Sequence, residues 1–228
     1  MRVGDAWWPA AMFALAAVAS TRSGLDLALA DRIADGSAGF ALRHAHWAQA
    51  LHDAGDWLVR GAAACLLFVA ARGRPLPRRT ALYLLLAVGV TVGIVGLLKQ
   101  HTAPVCPWSL VRYGGSIAQA SGVPTHAGHC FPGGHSAGAF GWFALAFAFP
   151  RRRNRVIAAV LVAGFAFAAL QWLRGAHFVS HDLWSAAIAW AVAVSLSPIL
   201  GRRAPATPAS AEMPDGACAA AIRPVLDR

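Results

Sequence analysis

The chain has 228 residues, of which 57% are hydrophobic and only 13% carry a charged side chain. Soluble domains carry about twice that share of charge, so the composition disfavours a soluble globular protein and indicates membrane-spanning helices. The formal net charge of +10 does not indicate nucleic-acid binding, because no basic stripe carries interleaved aromatic residues.

The apolar runs predict an all-α protein, a bundle of six transmembrane helices within one membrane domain, residues 1–201. Residues 202–228 are rich in Ala and Pro, and we expect them to form a disordered cytoplasmic tail. The first span is short and could extend toward Leu29. The predicted spans are Ala6–Thr21, Asp56–Ala71, Thr80–Leu98, Ser136–Phe149, Val156–Leu173 and Leu183–Leu200.

Between the first two spans, the segment Asp35–Asp56 has helical periodicity. Phe40, Trp47 and Leu51 fall on one face, whereas His44 and His52 fall on another. We interpret this segment as an amphipathic helix lying at the membrane surface.

Arginine clusters follow the second, fourth and sixth predicted spans. They comprise Arg72, Arg74, Arg78 and Arg79, then Arg151, Arg152, Arg153 and Arg155, then Arg202 and Arg203. By the positive-inside rule these loops and both termini are cytoplasmic. The two loops that hold most of the chemically reactive residues, 99–135 and 174–182, then share the opposite face. Small residues in the spans would also permit a homodimer.

Three blocks of residues contain candidate catalytic or anion-binding side chains. Lys99 is the only lysine and ends the third span, seven residues before Cys106; by itself it could simply extend its ammonium to the interface. Further on, Pro132, Gly133, Gly134 and His135 precede the fourth span. Successive backbone N–H groups and a helix N-terminus can bind an anion there.

The third block, Gln171–Asp182, contains Arg174, His177 and His181 beside a predicted span. Ionisable residues at the edge of a membrane segment are costly and usually functional. Two histidines four residues apart could equally be a metal or haem pair, so this block does not decide the function alone.

Together the blocks resemble the type 2 phosphatidic acid phosphatase (PAP2) superfamily, whose pattern is Lys-x6-Arg-Pro, then Pro-Ser-Gly-His, then Ser-Arg-x5-His-x3-Asp. The resemblance covers roughly residues 99–186 and implies a six-span membrane phosphatase, with active-site blocks at 99–107, 131–136 and 171–182. The departures resemble a divergent bacterial branch, which implies the inner membrane and a periplasm-facing site.

The match departs from the pattern at four positions. Cys106 stands in place of the first arginine and Gly133 in place of the serine. Aligning His177 with the histidine of the last block places His181 at the aspartate and Gln171 at the second arginine. Arg174, one helical turn further on, could still reach the same phosphate.

The resemblance implies a metal-independent mechanism without a cofactor, in which a lipid phosphate is the substrate. Its phosphomonoester or pyrophosphate group would be bound by Lys99, Arg174, Gly133, Gly134 and Gln171. His177 would attack phosphorus and form a phosphohistidine, and His135 would protonate the leaving group and then activate water. His181 or Asp182 would orient His177. An alternative nucleophile is His181, oriented by Asp182 or His177.

Two other functions stay open, a lipid phosphotransferase and a non-catalytic protein that binds or transports lipid phosphates. The role of Cys106 also stays open, because it could simply fill the place of the family arginine. Cys106 and Cys130 bracket the long loop and could instead form a disulfide in an oxidising compartment. No metal site is predicted, because the chain has no paired Cys-x-x-Cys motif.

Overall fold

The computed structural model describes residues 6–102, 104–118 and 129–201. The predicted cytoplasmic tail, residues 202–228, lies outside the described residues. Within those described ranges the chain is helical and has no strand beyond one isolated bridge between Leu110 and Ile117. The all-α class is therefore confirmed.

Eight α-helices make up the described part of the chain. They are α1 (Trp8–Arg22), α2 (Leu25–Ile33), α3 (His46–Arg72), α4 (Arg78–His101), α5 (Gly134–Phe140), α6 (Ala144–Ala148), α7 (Arg153–Leu173) and α8 (Val179–Leu196). Among the described residues, α3, α4, α7 and α8, the last two with short flanking turns, are long and apolar enough to cross a membrane. These helices fit a multi-pass membrane protein.

The two remaining predicted spans are broken. α1 and α2 meet at an angle of 71° and count as a fifth span only if they are taken together; Gly24, with φ +75°, forms the corner. The first span therefore bends after Arg22 instead of continuing straight toward Leu29. The fourth predicted span is α5 and α6 joined by a 3-10 turn, Gly141–Phe143.

The interpretation of Asp35–Asp56 as a separate surface helix is wrong. Residues 46–56 are the first turns of α3 and continue directly into the second span. Trp47 and Leu51 are exposed, as expected for a lipid-facing surface, but Phe40 is buried. Two polar residues of this stretch, His52 and Asp56, contact the candidate site described below.

The core is centred on α8, which packs against α1, α4 and α5. The indole of Trp190 is 2% exposed and donates to the carbonyl oxygen of Ala6 over 2.7 Å. The hydroxyl of Tyr83 in α4 donates to the carbonyl oxygen of Ala193 over 2.9 Å. The Tyr83 hydrogen bond joins the start of α4 to the last turns of α8, so Lys99 and the start of α8 lie at the same end of the bundle.

A cap loop, residues 104–118, covers that end. Phe40 packs edge-on against Tyr113 at 5.3 Å, and Arg112 forms an ion pair with Asp31 of α2. The backbone N–H of Trp108 donates to the carbonyl oxygen of Gly175 over 2.9 Å. The cap loop thus holds the turn between α7 and α8 in place.

Candidate active site

His177 lies in the turn between α7 and α8 and is 7% exposed. Its Nδ1 is 2.7 Å from the carbonyl oxygen of Cys130. Because a carbonyl oxygen can only accept, Nδ1 carries the hydrogen, and Nε2 of the neutral ring keeps the lone pair. Burial, assisted by the charge of Lys99, lowers the pKa of His177 well below its ordinary value, so the ring is neutral near pH 7.

Asp182 does not orient His177, contrary to one sequence prediction. It is fully buried and accepts hydrogen bonds from the hydroxyl of Ser136 at 2.6 Å and the indole of Trp172 at 2.7 Å. α8 begins at Val179, and its first turn directs this carboxylate toward α5. Asp182 therefore ties α5, α7 and α8 together.

His181 does not orient His177 either, although the sequence predicted that role for it. It is 4% exposed, and its ring centre lies 5.9 Å from that of His177 in an edge-on arrangement. The Nδ1 atom of His181 has no hydrogen-bond partner within the part of the chain that the structure describes. The Cys130 carbonyl thus takes the orienting position at Nδ1 of His177.

Gly133 is required by a close approach of another side chain, and Gly134 lies beside Lys99. A Cβ at Gly133 would overlap the Asp182 carboxylate, and a Cβ at Gly134 would lie 3.4 Å from the Lys99 ammonium. The amide of Gly133 donates to the carbonyl oxygen of His181 over 3.2 Å. That N–H is therefore already engaged, whereas Gly134 leaves room for Lys99 at the start of α5.

His135 is the second residue of α5, and α3 contacts its ring. Its Nε2 lies 3.1 Å from a carboxylate oxygen of Asp56, and its ring centre lies 3.8 Å from that of His52. No hydrogen bond joins this nitrogen to Asp56, so the contact is an ion pair that forms when His135 is protonated.

Arg174 is 5% exposed, and its guanidinium is held by side-chain amides. It donates to Gln171 over 3.2 Å and to Gln49 of α3, while its Nε has no partner among the described residues. Burial lowers the pKa of Arg174. Its hydrogen-bond partners are neutral amides, and the negative charge of Asp53 acts on it without a direct contact, so the guanidinium can still bind an anion. Gln171 is engaged with Arg174 and His52, which favours a positioning role over a direct phosphate contact.

Sequence reasoning missed the polar face of α3. Gln49, His52, Asp53 and Asp56 have the spacing i, i+3, i+4 and i+7, which places them on one side of a helix. His52 and Gln49 reach the site through Gln171 and Arg174, and Asp56 reaches His135. This spacing was a usable signal, since a polar stripe on a predicted amphipathic helix can line a site as well as face solvent.

Cys106 and Cys130 form a disulfide, with their Cα atoms 5.3 Å apart. The bond links the start of the cap loop to the residue whose carbonyl holds His177. Arg112 is engaged with Asp31 in the cap, so it does not replace the family arginine at Cys106.

An apolar groove of about 420 Å³ runs beside His135, within the range of about 300–1,000 Å³ usual for ligand sites. It lies between α3, α4, α5 and α7, and Gly134, His135 and Asp56 contribute polar lining. The apolar lining residues include Leu58, Val59, Val92, Ala139, Trp142, Ala163 and Phe167. The groove therefore connects apolar helix surfaces with the imidazole of His135.

The PAP2 superfamily model matches residues 80–204, which is more than half of the chain. The chain belongs to the PAP2 superfamily. This membership supports a phosphatase-type function, in general the hydrolysis of a phosphoric ester. A search of curated proteins and a search of solved structures gave no match.

The matched region contains Lys99, His135, Arg174 and His177, whereas α3 precedes it. The replacement of the family serine by Gly133 has a local explanation, because the Asp182 carboxylate occupies the space that a side chain would need.

Proposed function

We propose that the protein is a metal-independent lipid phosphate phosphatase that works through a phosphohistidine on His177. The observation that carries this proposal is the buried, neutral His177, whose Nδ1–H is bound to the Cys130 carbonyl. That arrangement leaves Nε2 free to attack phosphorus. Lys99 and Arg174 supply fixed positive charge for the phosphate, so the proposal needs no metal ion.

The reaction has two steps. His177 Nε2 attacks phosphorus, the bond from phosphorus to the ester or pyrophosphate oxygen breaks, and His135 gives that oxygen a proton. His135, now neutral, then takes a proton from water as the water attacks the phosphohistidine. Inorganic phosphate leaves, and both histidines return to their starting state. Gly134 remains the backbone candidate for a phosphate contact.

A lipid substrate is supported by the groove beside His135. A phosphate bound near Lys99 and His135 would place its attached alkyl chain along apolar walls that belong to membrane-spanning helices. Burying an alkyl chain there is favourable by about 0.8 kcal/mol for each CH₂ group. A soluble phosphate ester would gain nothing from these walls.

The site is proposed to face away from the cytoplasm, in the bacterial inner membrane and toward the periplasm. From Arg78 to Lys99, α4 rises about 30 Å at 1.5 Å per residue, the thickness of a bilayer core. The arginine clusters lie at the end of α4 and α7 opposite the site. The positive-inside rule places that end, and both termini, in the cytoplasm.

The test is phosphate release in detergent micelles from a panel of lipid monophosphates and pyrophosphates, combined with ³²P labelling of the protein. We expect an acid-labile, base-stable phosphoprotein that is lost together with turnover in His177→Ala. His181→Ala is the matched variant and should keep the label. Full activity in His177→Ala would overturn the assignment, and transfer of the label to a lipid alcohol would instead indicate a phosphotransferase.

A further inference from the structure

α3 contacts the proton donor of the proposed reaction at three places. The Asp56 carboxylate faces Nε2 of His135 at 3.1 Å, and the His52 ring lies against the His135 ring with centres 3.8 Å apart. A Cβ at Gly55 would lie 3.3 Å from the His135 ring, so a glycine lets the imidazole lie close to the helix. We infer that Asp56 is a positioning residue for His135, an inference that rests on the proposed function.

The charge balance around His135 explains why a carboxylate is needed. The His135 side chain is 14% exposed, and burial together with the nearby cations Lys99 and Arg174 lowers the pKa of its imidazole. A proton donor must nevertheless be positively charged when substrate is bound. Among the described residues, Asp56 is the acid that forms an ion pair with His135, and its negative charge favours the imidazolium against the two neighbouring cations.

The Asp56 carboxylate and the main chain of His52 both engage the His135 ring. Asp56 faces Nε2 at 3.1 Å, and a hydrogen bond to the His52 backbone also favours the protonated ring. During phosphohistidine formation the bond between phosphorus and the alkoxy oxygen breaks, and a ring proton of His135 moves to that oxygen. The negative charge of Asp56 stabilises the imidazolium until that transfer.

His52 separates this pair from the phosphate-binding arginine. The Nε2 amide of Gln171 lies 3.1 Å from Nδ1 of His52, and because an amide nitrogen can only donate, Nδ1 of His52 is an acceptor. His52 therefore carries its hydrogen on Nε2 when it is neutral. It lies against His135 as an uncharged ring and does not compete for Asp56.

A leaving-group comparison tests the role of Asp56 directly. Two substrates would carry the same alkyl tail, one as an alkyl phosphate and one as a nitrophenyl phosphate whose leaving group needs no proton. We would measure single-turnover phosphohistidine formation with each. For Asp56→Asn we expect a loss of about tenfold or more with the alkyl phosphate and little loss with the nitrophenyl phosphate. Asp56→Glu should recover part of the loss.

Asp53→Asn is the matched control, because it makes the same chemical change on the same face of α3. Asp53 accepts a hydrogen bond from Gln49 over 2.8 Å instead of facing His135, so the ratio of the two rates should stay at the wild-type value. An equal loss with both substrates, or no loss with either, would overturn the role of Asp56. If the wild-type protein forms no phosphohistidine at all, the proposed function fails instead.

Discussion

His177 takes its orientation from a main-chain oxygen. A carbonyl fixes the tautomer of the ring as a carboxylate would, but it brings no full negative charge. The ring is therefore held neutral by burial and by the nearby cation Lys99. This arrangement favours the attacking form of the histidine and gives less stabilisation to an imidazolium, which suits a nucleophile better than a proton donor.

The first prediction concerns the acid side of the pH profile. Because the pKa of His177 lies well below its ordinary value, His177 takes up a proton, and loses its lone pair, only at a correspondingly lower pH. Phosphohistidine formation from saturating nitrophenyl phosphate should stay level as the pH falls through the ordinary histidine pKa of about 6.5, and decline only well below it. This substrate avoids the titration of His135. A half-maximal rate near the ordinary histidine pKa would contradict the burial argument.

The second prediction concerns the disulfide. Cys130 supplies the carbonyl that orients His177, and its disulfide bond to Cys106 holds that loop segment in place. Replacing both cysteines by serine should lower kcat by about tenfold, since small displacements of a reacting group are costly, with a smaller change in KM. Cys65→Ser is the control, because Cys65 is exposed and unpaired. An unchanged kcat in the double variant would show that the disulfide does not contribute to catalysis.

At the level of elements, the sequence predicted the uninterrupted helices well. α4, α7 and α8 begin within about four residues of the predicted spans, since long apolar runs bounded by charges mark such helices. α3 was divided wrongly, because its inward-facing polar stripe resembles the polar face of a surface helix. Tertiary packing, which periodicity alone does not reveal, decides between those two interpretations.

The candidate site, too, could be predicted from the sequence only in part. The motif blocks identified Lys99, His135, Arg174 and His177, and the fold brings them to one end of the bundle. The partners of these residues could not be predicted. The Cys130 carbonyl is a backbone group without a sequence signature, and Asp56 lies in a helix far from the motifs along the chain.

The third prediction concerns the packing of α5 against α7. A Cβ at Gly164 would overlap the ring of Phe140, which is fully buried, so Gly164→Ala should destabilise the protein by about 1–3 kcal/mol through overpacking. Gly89→Ala is the control, because nothing lies within 4 Å of its added Cβ. Thermal unfolding in detergent should show a lower Tm for Gly164→Ala alone. Equal Tm values for the two variants would contradict this packing.

At the scale of the whole molecule, the candidate active-site residues and the arginine clusters lie at opposite ends of the same helices. Trp190 in α8 bonds to Ala6 near the start of α1, and Gly201 lies beside Arg79 at the start of α4. The first and last described residues therefore lie at the end of the bundle that carries the arginine clusters. The cap loop and the four motif residues lie at the other end, one bilayer thickness away.

The last prediction is the membrane orientation. In a protein with Cys65 and Cys218 replaced by serine, Ser116→Cys would place a thiol on the cap loop and Arg152→Cys would place one in an arginine cluster. A membrane-impermeant maleimide applied to intact cells should label the first variant, whereas the second should be labelled only after permeabilisation. The reason is that a cluster of arginines is retained on the cytoplasmic side during insertion. The reverse pattern would place the site inside the cell and would require a cytoplasmic lipid phosphate as substrate.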